Sequence, residues 1–198
     1  EFELQRQDLD RAARVEQFDR YRQSAVSLLL SRGVHQALDV HSADPKLQDR
    51  YGRNSFGWSL LMARQLVEAG CSLVQVNLGN DESWDTHESA VGNLKNYLLP
   101  ATDRADSALI SDLDARGMLD DTLVVLMGEM GRTPRVNKNG GRGHWTKCGF
   151  IVYTGAGVRH ATVFGRSDKH AGWPVDHPAS RDRKSTRLNP SHKPTSYA

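Results

Sequence analysis

Four residues combine metal-binding chemistry with positions in or beside loops. Asp85 and His87 lie two residues apart in a loop rich in Gly, Asn and Asp. Glu129 follows the apolar run Leu123–Met127, and His144 lies in the segment Gly-Gly-Arg-Gly-His-Trp. A carboxylate and an imidazole at the spacing of Asp85 and His87 can bind one divalent cation if the loop turns. Such oxygen and nitrogen donors suit zinc, manganese or iron. Asp85 and His87 are therefore candidate metal ligands, and Glu129 and His144 are candidate ligands at the same edge of the predicted sheet.

Each of these residues also has an ordinary structural interpretation. Thr86 could cap a helix, with His87 merely exposed at its start. Glu129 could form a salt bridge with Arg132 instead of binding a cation. His144 could pack on the neighbouring tryptophan in a glycine-rich turn. The residue types and spacing leave both interpretations open.

Three arginines in the same region, Arg132, Arg135 and Arg142, could bind an anionic ester group through paired hydrogen bonds. Arginines in loops are also commonly just solvated. A second stretch, Asp168–His177, carries further carboxylates and imidazoles, among them His170. The sequence contains neither a GxSxG nucleophile elbow nor a GxxxxGK[ST] phosphate loop, so it does not match those two classes of enzyme.

The elements that must position these residues alternate between helices and strands. Hydrophobic spacing and end signals predict four helices: over residues 1–31, from a cap at Asp44, over Phe56–Glu68, and over Ser89–Leu119 with a break or kink near Pro100. The segment Val34–Ser42 is predicted to connect the first two.

Three strands are predicted, at Ser72–Leu78, Leu123–Met127 and Phe150–Thr154. The second is a continuous apolar run typical of a strand buried on both faces. Strands separated by long helices predict the α/β class with a parallel or mixed sheet. The candidate residues follow the strands, so we expect them at the carboxyl edge of that sheet.

Composition and charge limit the function. The chain has 198 residues, 38% hydrophobic and 25% charged, which is typical of a globular protein. No apolar run approaches the roughly 20 residues of a membrane span. The net charge of +2 divides into +4 for residues 181–198 and −2 for residues 1–180. We predict a globular segment, 1–180, and a disordered basic tail, 181–198, that resembles a translated sequencing adapter. No nucleic-acid partner is expected.

The run Leu123–Trp145 (LVVLMGEMGRTPRVNKNGGRGHW) resembles the DUF1501 family of the alkaline-phosphatase and sulfatase superfamily. The resemblance extends from about Ala37, through SWDTHE, to SDKHAGWPVDHPAS near residue 180. It implies an incomplete three-layer α/β/α sandwich of the alkaline-phosphatase type, here with a long N-terminal helix, and a metal site at the edge of the sheet. The ligands that it implies are Asp85, His87, Glu129 and His144. Arg132 would contact the substrate anion.

Two departures from the superfamily pattern affect this site. Glu129 stands where an Asp is usual, and Met130 stands where a His is usual. One metal site would therefore be incomplete, or filled by another residue such as His170. Nothing upstream of Asp85 resembles the segment that carries the superfamily's early metal-binding Asp and its nucleophile. We therefore expect a C-terminal fragment that is inactive alone, with the catalytic nucleophile unassigned.

The resemblance implies a metal-dependent hydrolase of sulfate or phosphate esters, acting on a small-molecule or polysaccharide ester. Its cation would be zinc, calcium, magnesium or manganese. The alternative is a non-catalytic, exported binding or structural module on the same fold with a degenerate metal site, which Met130 favours. Relatives in this family commonly carry an export signal, which implies a periplasmic or extracellular location. The oligomeric state is left open.

Overall fold

The computed structural model describes residues 2–159 and 161–177, so the predicted tail at 181–198 lies outside the described residues. The chain divides into two units. The first comprises Glu1–Leu78 and Arg104–Leu109, and the second comprises Gly79–Asp103 and Ile110–Ala198. All four implied metal ligands belong to the second unit.

The first unit is built from helices, whose bounds are α1 Phe2–Leu30, α2 Arg32–Leu38, a 3₁₀ turn Val40–Ser42, α3 Pro45–Tyr51 and α4 Ser55–Glu68. Helices α1 and α4 confirm two predictions made from hydrophobic spacing, and α3 confirms the helix predicted from the cap at Asp44. The segment Val34–Ser42 was predicted as a connection, and that prediction is wrong because most of it is helical. The Ser31 hydroxyl accepts a hydrogen bond from the Val34 N–H at 3.1 Å, which caps α2.

Side-chain caps also start the next two helices. The Asp44 carboxylate accepts from the Lys46 N–H at 2.7 Å, as the sequence predicts, and Pro45 follows it in the first turn of α3. The Asn54 side chain accepts from the Gly57 N–H at 3.0 Å and caps α4. Each cap satisfies a backbone donor that the helix itself leaves unpaired.

Helices α2 and α3 both pack on α4 and form the core of the first unit. Its buried apolar residues are Val34, Ala37, Val40, Tyr51, Leu60, Leu61, Ala63, Ala105, Ala108 and Leu109. Tyr51 and Leu61 have no exposed surface, so they occupy the centre of this core.

A helical run in the middle of the chain starts at α5, Ala90–Asn93, continues through a π-helical turn, Leu94–Leu98, and ends with α6, Leu99–Ala115. The sequence predicts a break or kink near Pro100, and the helical run continues through this residue without a break. Pro100 lies in the first turn of α6, where its missing N–H is tolerated, and the wider π turn comes immediately before it. The predicted helix is therefore confirmed as a run, with a π turn in place of a break.

The strands of the second unit form three antiparallel pairs. Their bounds are β1 Val124–Met127 with β4 Ile151–Thr154, β2 Gly131–Arg132 with β3 His144–Trp145, and β5 Arg166–Ser167 with β6 Pro174–Asp176. Strands β1 and β4 confirm two predicted strands. A parallel or mixed sheet was expected, but every pair among the described residues is antiparallel.

Two further expectations about strands are wrong. Ser72–Leu78 forms no strand, and Leu73 within it is 88% exposed. Strand β1 is not buried on both faces, because Val125, Leu126 and Met127 are all exposed. Both errors have one cause: alternation and apolar character report strand propensity, whereas pairing and burial depend on neighbours that are distant in sequence.

The described residues thus mix helices with small antiparallel sheets, which is compatible with the α/β class. The three-layer arrangement stays a prediction. Among the described helices, none has the length and apolar character needed to cross a bilayer.

Leu61→Ala should destabilise the first unit, because Leu61 is fully buried in α4 and its truncation leaves a cavity. The expected loss in the free energy of unfolding is about 2–5 kcal/mol. Urea denaturation monitored by circular dichroism measures it. Leu73→Ala is the matched control, since that side chain is almost fully exposed, and it should change stability by less than about 0.5 kcal/mol. Equal effects of the two substitutions would contradict this account of the core.

Candidate metal centre

Two loops, residues 84–90 and residues 137–144, pair along their backbones and create the site. Backbone N–H groups of Ser89 and Ala90 donate to the carbonyls of Asn139 at 3.0 Å and Gly140 at 2.9 Å. In the opposite direction, the Arg142 N–H donates to the Thr86 carbonyl at 3.0 Å. We call these segments the paired loops. Their pairing brings Asp85 and His87 beside a residue almost 60 positions away in the chain.

That distant residue is His144, which is positioned by the short ladder of β2 and β3. His144 pairs with Arg132 in the antiparallel register. One step along, the Thr133 N–H donates to the Gly143 carbonyl at 2.9 Å, and the Thr133 hydroxyl accepts from the Gly143 N–H at 3.1 Å. The ladder therefore fixes the backbone on both sides of this histidine.

The three side chains converge on the Asp85 carboxylate. His144 Nε2 lies 2.8 Å from Asp85 Oδ1, and His87 Nε2 lies 3.1 Å from the same carboxylate. The two imidazole centroids are 5.1 Å apart. One potential ligand atom from each of the three residues lies within 4.8 Å of the others, and about half of each imidazole is exposed to solvent. This triad is a candidate metal-binding group.

Arg132 is the fourth side chain of the site. Its Nη1 donates to Asp85 Oδ1, and its Nη2 donates to the Trp84 carbonyl at 2.8 Å. The guanidinium is three-quarters buried and bridges the aspartate and the loop that carries it. In this arrangement Arg132 acts as the counter-ion of Asp85. A contact between Arg132 and a substrate anion stays a prediction.

The arginine and the nearer imidazole set the protonation state of Asp85. Hydrogen bonds from Arg132 and then from His144 lower the pKa of this carboxyl from 3.8 to about 2. Both partners favour the charged form over the neutral acid. Asp85 is therefore an anion at any physiological pH, as a metal-binding carboxylate must be.

Two residues considered as ligands are not brought into this group. Glu129 is exposed just beyond β1, and the triad contains neither it nor His170. The His170 side chain is exposed as well, while its backbone N–H donates to Asp168 at 3.0 Å. A ligand role for Glu129 or His170 stays a prediction.

One residue that organises the paired loops, Asn137, is not among the predicted site residues. Asn137 bonds backbone groups in both loops through its side-chain amide. The available signal was its position before Lys-Asn-Gly-Gly, a composition typical of turns in which an Asn side chain bonds the following backbone.

The donor set fits a divalent cation. Two imidazoles and one carboxylate form the ligand set of some catalytic zinc sites, which keep another position open for water or substrate. Zinc takes such donors at roughly 2.0–2.2 Å. A cation bound by all three donors would replace the hydrogen bonds that they now share. Each imidazole would bind through an unprotonated ring nitrogen, so metal binding would weaken at low pH.

Residues 1–190 match a family model described as Protein of unknown function (DUF1501). No curated protein and no solved structure matches the chain. The match includes both paired loops and all three residues of the triad. The chemistry of the site therefore has to be inferred from its own side chains.

Gly141→Ala should separate the paired loops. A Cβ at Gly141 would lie 1.7 Å from the His87 carbonyl oxygen, so the backbone would have to move apart. Overpacking of this kind costs about 1–3 kcal/mol, which thermal unfolding would report as a lower Tm. Gly92→Ala is the control, because its Cβ would meet open space within α5 and should leave Tm unchanged or raised. An unchanged Tm in Gly141→Ala would contradict the close approach.

The ion pair of Asp85 should make stability depend on pH at the acid end. Because the folded-state pKa is about 2 and the ordinary value is 3.8, folding favours the ionised carboxylate. Its contribution is therefore complete above pH 3.8 and is lost as the pH falls towards 2. Comparing urea unfolding of the wild type and Asp85→Asn at several pH values measures this. The difference between them should shrink as the pH falls from 4 towards 2, and a difference unchanged down to pH 2 would refute the assignment.

Proposed function

Since this chain belongs to the DUF1501 family, whose members it resembles in the motifs that contain the site, we propose that it carries the divalent-metal centre of an ester hydrolase. The observation that carries the proposal is the convergence of Asp85, His87 and His144, with ligand atoms within 4.8 Å of one another. The reaction that best suits such a centre is metal-assisted hydrolysis of a sulfate or phosphate ester. The cation is proposed to be zinc, calcium, magnesium or manganese, and two imidazole donors favour zinc among these.

In this proposal the cation, when bound, would polarise an ester oxygen and lower the pKa of an attacking group. The side chains of this chain would hold the cation and orient the ester. Asp85 supplies the anionic ligand, and the two imidazoles supply neutral nitrogen ligands from the paired loops. Arg132 lies beside the same carboxylate and brings a fixed positive charge to the place where an anionic ester would bind. No residue of this chain is assigned as the nucleophile.

The finer parts of the proposal rest on the motif resemblance. They are an alkaline-phosphatase-like, three-layer domain, a small-molecule or polysaccharide ester as substrate, and a periplasmic or extracellular location. Glu129 is retained as a proposed additional ligand, since it follows β1 in the resembling motif. Ester hydrolysis is proposed for the whole protein, and the 198 residues alone are expected not to turn over substrate.

A second candidate is a binding or structural module on the same fold with a degenerate metal site. Met130 occupies a position at which the superfamily usually has a histidine. In addition, Arg132 already neutralises Asp85, so the site can be electrostatically balanced with no cation present. Such a module would bind an anionic ligand through Arg132 and would not hydrolyse it.

The proposal is tested by metal affinity, which does not depend on turnover. Isothermal titration with Zn²⁺ and Mn²⁺ after chelator treatment should show one site per chain. His144→Ala should weaken binding by more than the roughly 10–100-fold typical of losing an outer-shell partner, because a direct ligand is removed. His35→Ala is the control, because it removes an exposed histidine of α2 in the other unit, and it should bind as the wild type does. Absence of binding in the wild type, or equal binding in His144→Ala, would refute the metal centre.

Glu129→Ala separates two versions of the site. If Glu129 is a ligand, this substitution should weaken metal binding as His144→Ala does. If the site is confined to the triad, affinity should be unchanged. Hydrolysis of a chromogenic sulfate or phosphate ester by the whole protein then distinguishes the hydrolase from the binding module, which would take up metal or anion without turnover.

A further inference from the structure

We infer that Asn137 is a positioning residue for the metal centre, holding His87 where its imidazole faces Asp85. This inference rests on the metal centre proposed above and assigns a role to a residue outside the triad. Asn137 precedes the turn of the second paired loop, and its side chain reaches the backbone of the first.

One amide group makes three hydrogen bonds to backbone atoms. Asn137 Nδ2 donates to the His87 carbonyl at 2.9 Å. Asn137 Oδ1 accepts from the backbone N–H groups of Asn139 at 2.9 Å and Gly141 at 3.0 Å. The Asn137 backbone N–H also donates to the Gly141 carbonyl at 2.9 Å. The side chain therefore closes its own turn and clamps that turn to His87.

The orientation of the amide follows from its partners. The single carbonyl partner requires the NH₂ group, and the two N–H partners require the oxygen, so the reversed amide would make unfavourable contacts on both sides. An aspartate would keep the two contacts to the turn but place an oxygen against the His87 carbonyl. Asparagine is thus the residue that satisfies both loops at once.

His87 needs such a clamp more than the other two ligands do. Asp85 is held by the Arg132 guanidinium, and His144 is held by the ladder of β2 and β3. His87 lies in neither a helix nor a strand, and its ring is half exposed. The contact from Asn137, together with the close approach of Gly141 to the same carbonyl, fixes the backbone from which the imidazole projects.

The test compares Co²⁺ binding to the metal-free wild type, Asn137→Ala and Asn137→Asp. Co²⁺ is the probe because its visible spectrum reports ligand number and geometry. Asn137→Asp keeps the acceptors for the turn and replaces the donor to His87 by an oxygen, so it should fold if Asn137→Ala does not. Asn54→Ala is the matched control, since it removes an equivalent Asn-to-backbone bond, the cap of α4, in the other unit.

We expect both Asn137 variants to bind Co²⁺ about 10–100-fold more weakly than the wild type, with an altered visible spectrum. Asn54→Ala should keep the wild-type affinity and spectrum even if its Tm falls. In the metal-free protein, the ring NMR signals of His87 should move in both Asn137 variants, while those of the exposed His170 should not.

Wild-type affinity and spectrum in Asn137→Asp would overturn the positioning role and leave the metal centre intact. Equal weakening in Asn54→Ala would overturn it too, because loss of global stability would then explain the effect. No Co²⁺ binding by the wild type would overturn the metal centre and, with it, the role of Asn137 in metal binding. Unmoved His87 ring signals would refute the clamp itself.

Discussion

The Asp85 carboxylate is the shared acceptor on which the candidate site depends. Arg132, His144 and His87 come from three segments of the chain, and each places a nitrogen against this one group. Without the anion, a guanidinium and two imidazoles would have no common partner, and their mutual repulsion on protonation would drive them apart. Two of these contacts also lower the pKa of Asp85, since the hydrogen bonds from Arg132 and His144 stabilise the charge of the carboxylate. The arrangement of the side chains and the low pKa of Asp85 therefore depend on the same carboxylate.

The backbone supports this arrangement through loops, with few contributions from regular structure. The paired loops exchange N–H and carbonyl groups across the site, and Gly141 permits an approach that any side chain would obstruct. Loops held by dense hydrogen bonding can position ligands, provided that their polar groups are satisfied. The side chains of Asn137 and Thr133 accept hydrogen bonds from backbone N–H groups within the loop region itself, so these polar groups are satisfied. The site is thus organised by polar contacts, while the apolar core of the first unit contributes stability elsewhere.

The same contacts are compatible with both candidate functions. A cation would replace the hydrogen bonds between Asp85 and the imidazoles by bonds to metal, and Arg132 would remain as the nearby positive charge. With no cation, Arg132 already balances Asp85, which is what a binding module would need. The difference between a hydrolase and a binding module therefore lies in the affinity of the triad for metal and in a nucleophile, and the fold does not distinguish them.

Local signals in the sequence were sufficient for much of the structure. Periodicity and capping residues predicted α1, α3 and α4, because a helix is specified by neighbours within four residues. The apolar run at Val124–Met127 predicted β1 for a similar reason. Ser72–Leu78 shows the limit, since its alternation matches a strand and yet pairing needs a second segment. The exposure of β1 shows that burial, like strand pairing, cannot be predicted from local signals alone.

The candidate site likewise has features that the sequence determined and features that only the tertiary structure decided. By itself, the sequence determined the residue types, because Asp85, His87 and His144 have metal-binding chemistry wherever the chain places them, and it determined the glycines that permit close approach. Only the tertiary structure decided that these three meet, that Glu129 and His170 lie outside the group, and that Asn137 belongs beside it. The physical reason is distance along the chain. Hydrogen bonds between loops some fifty residues apart cannot be predicted from local propensity, because they form only when the chain brings the two loops together.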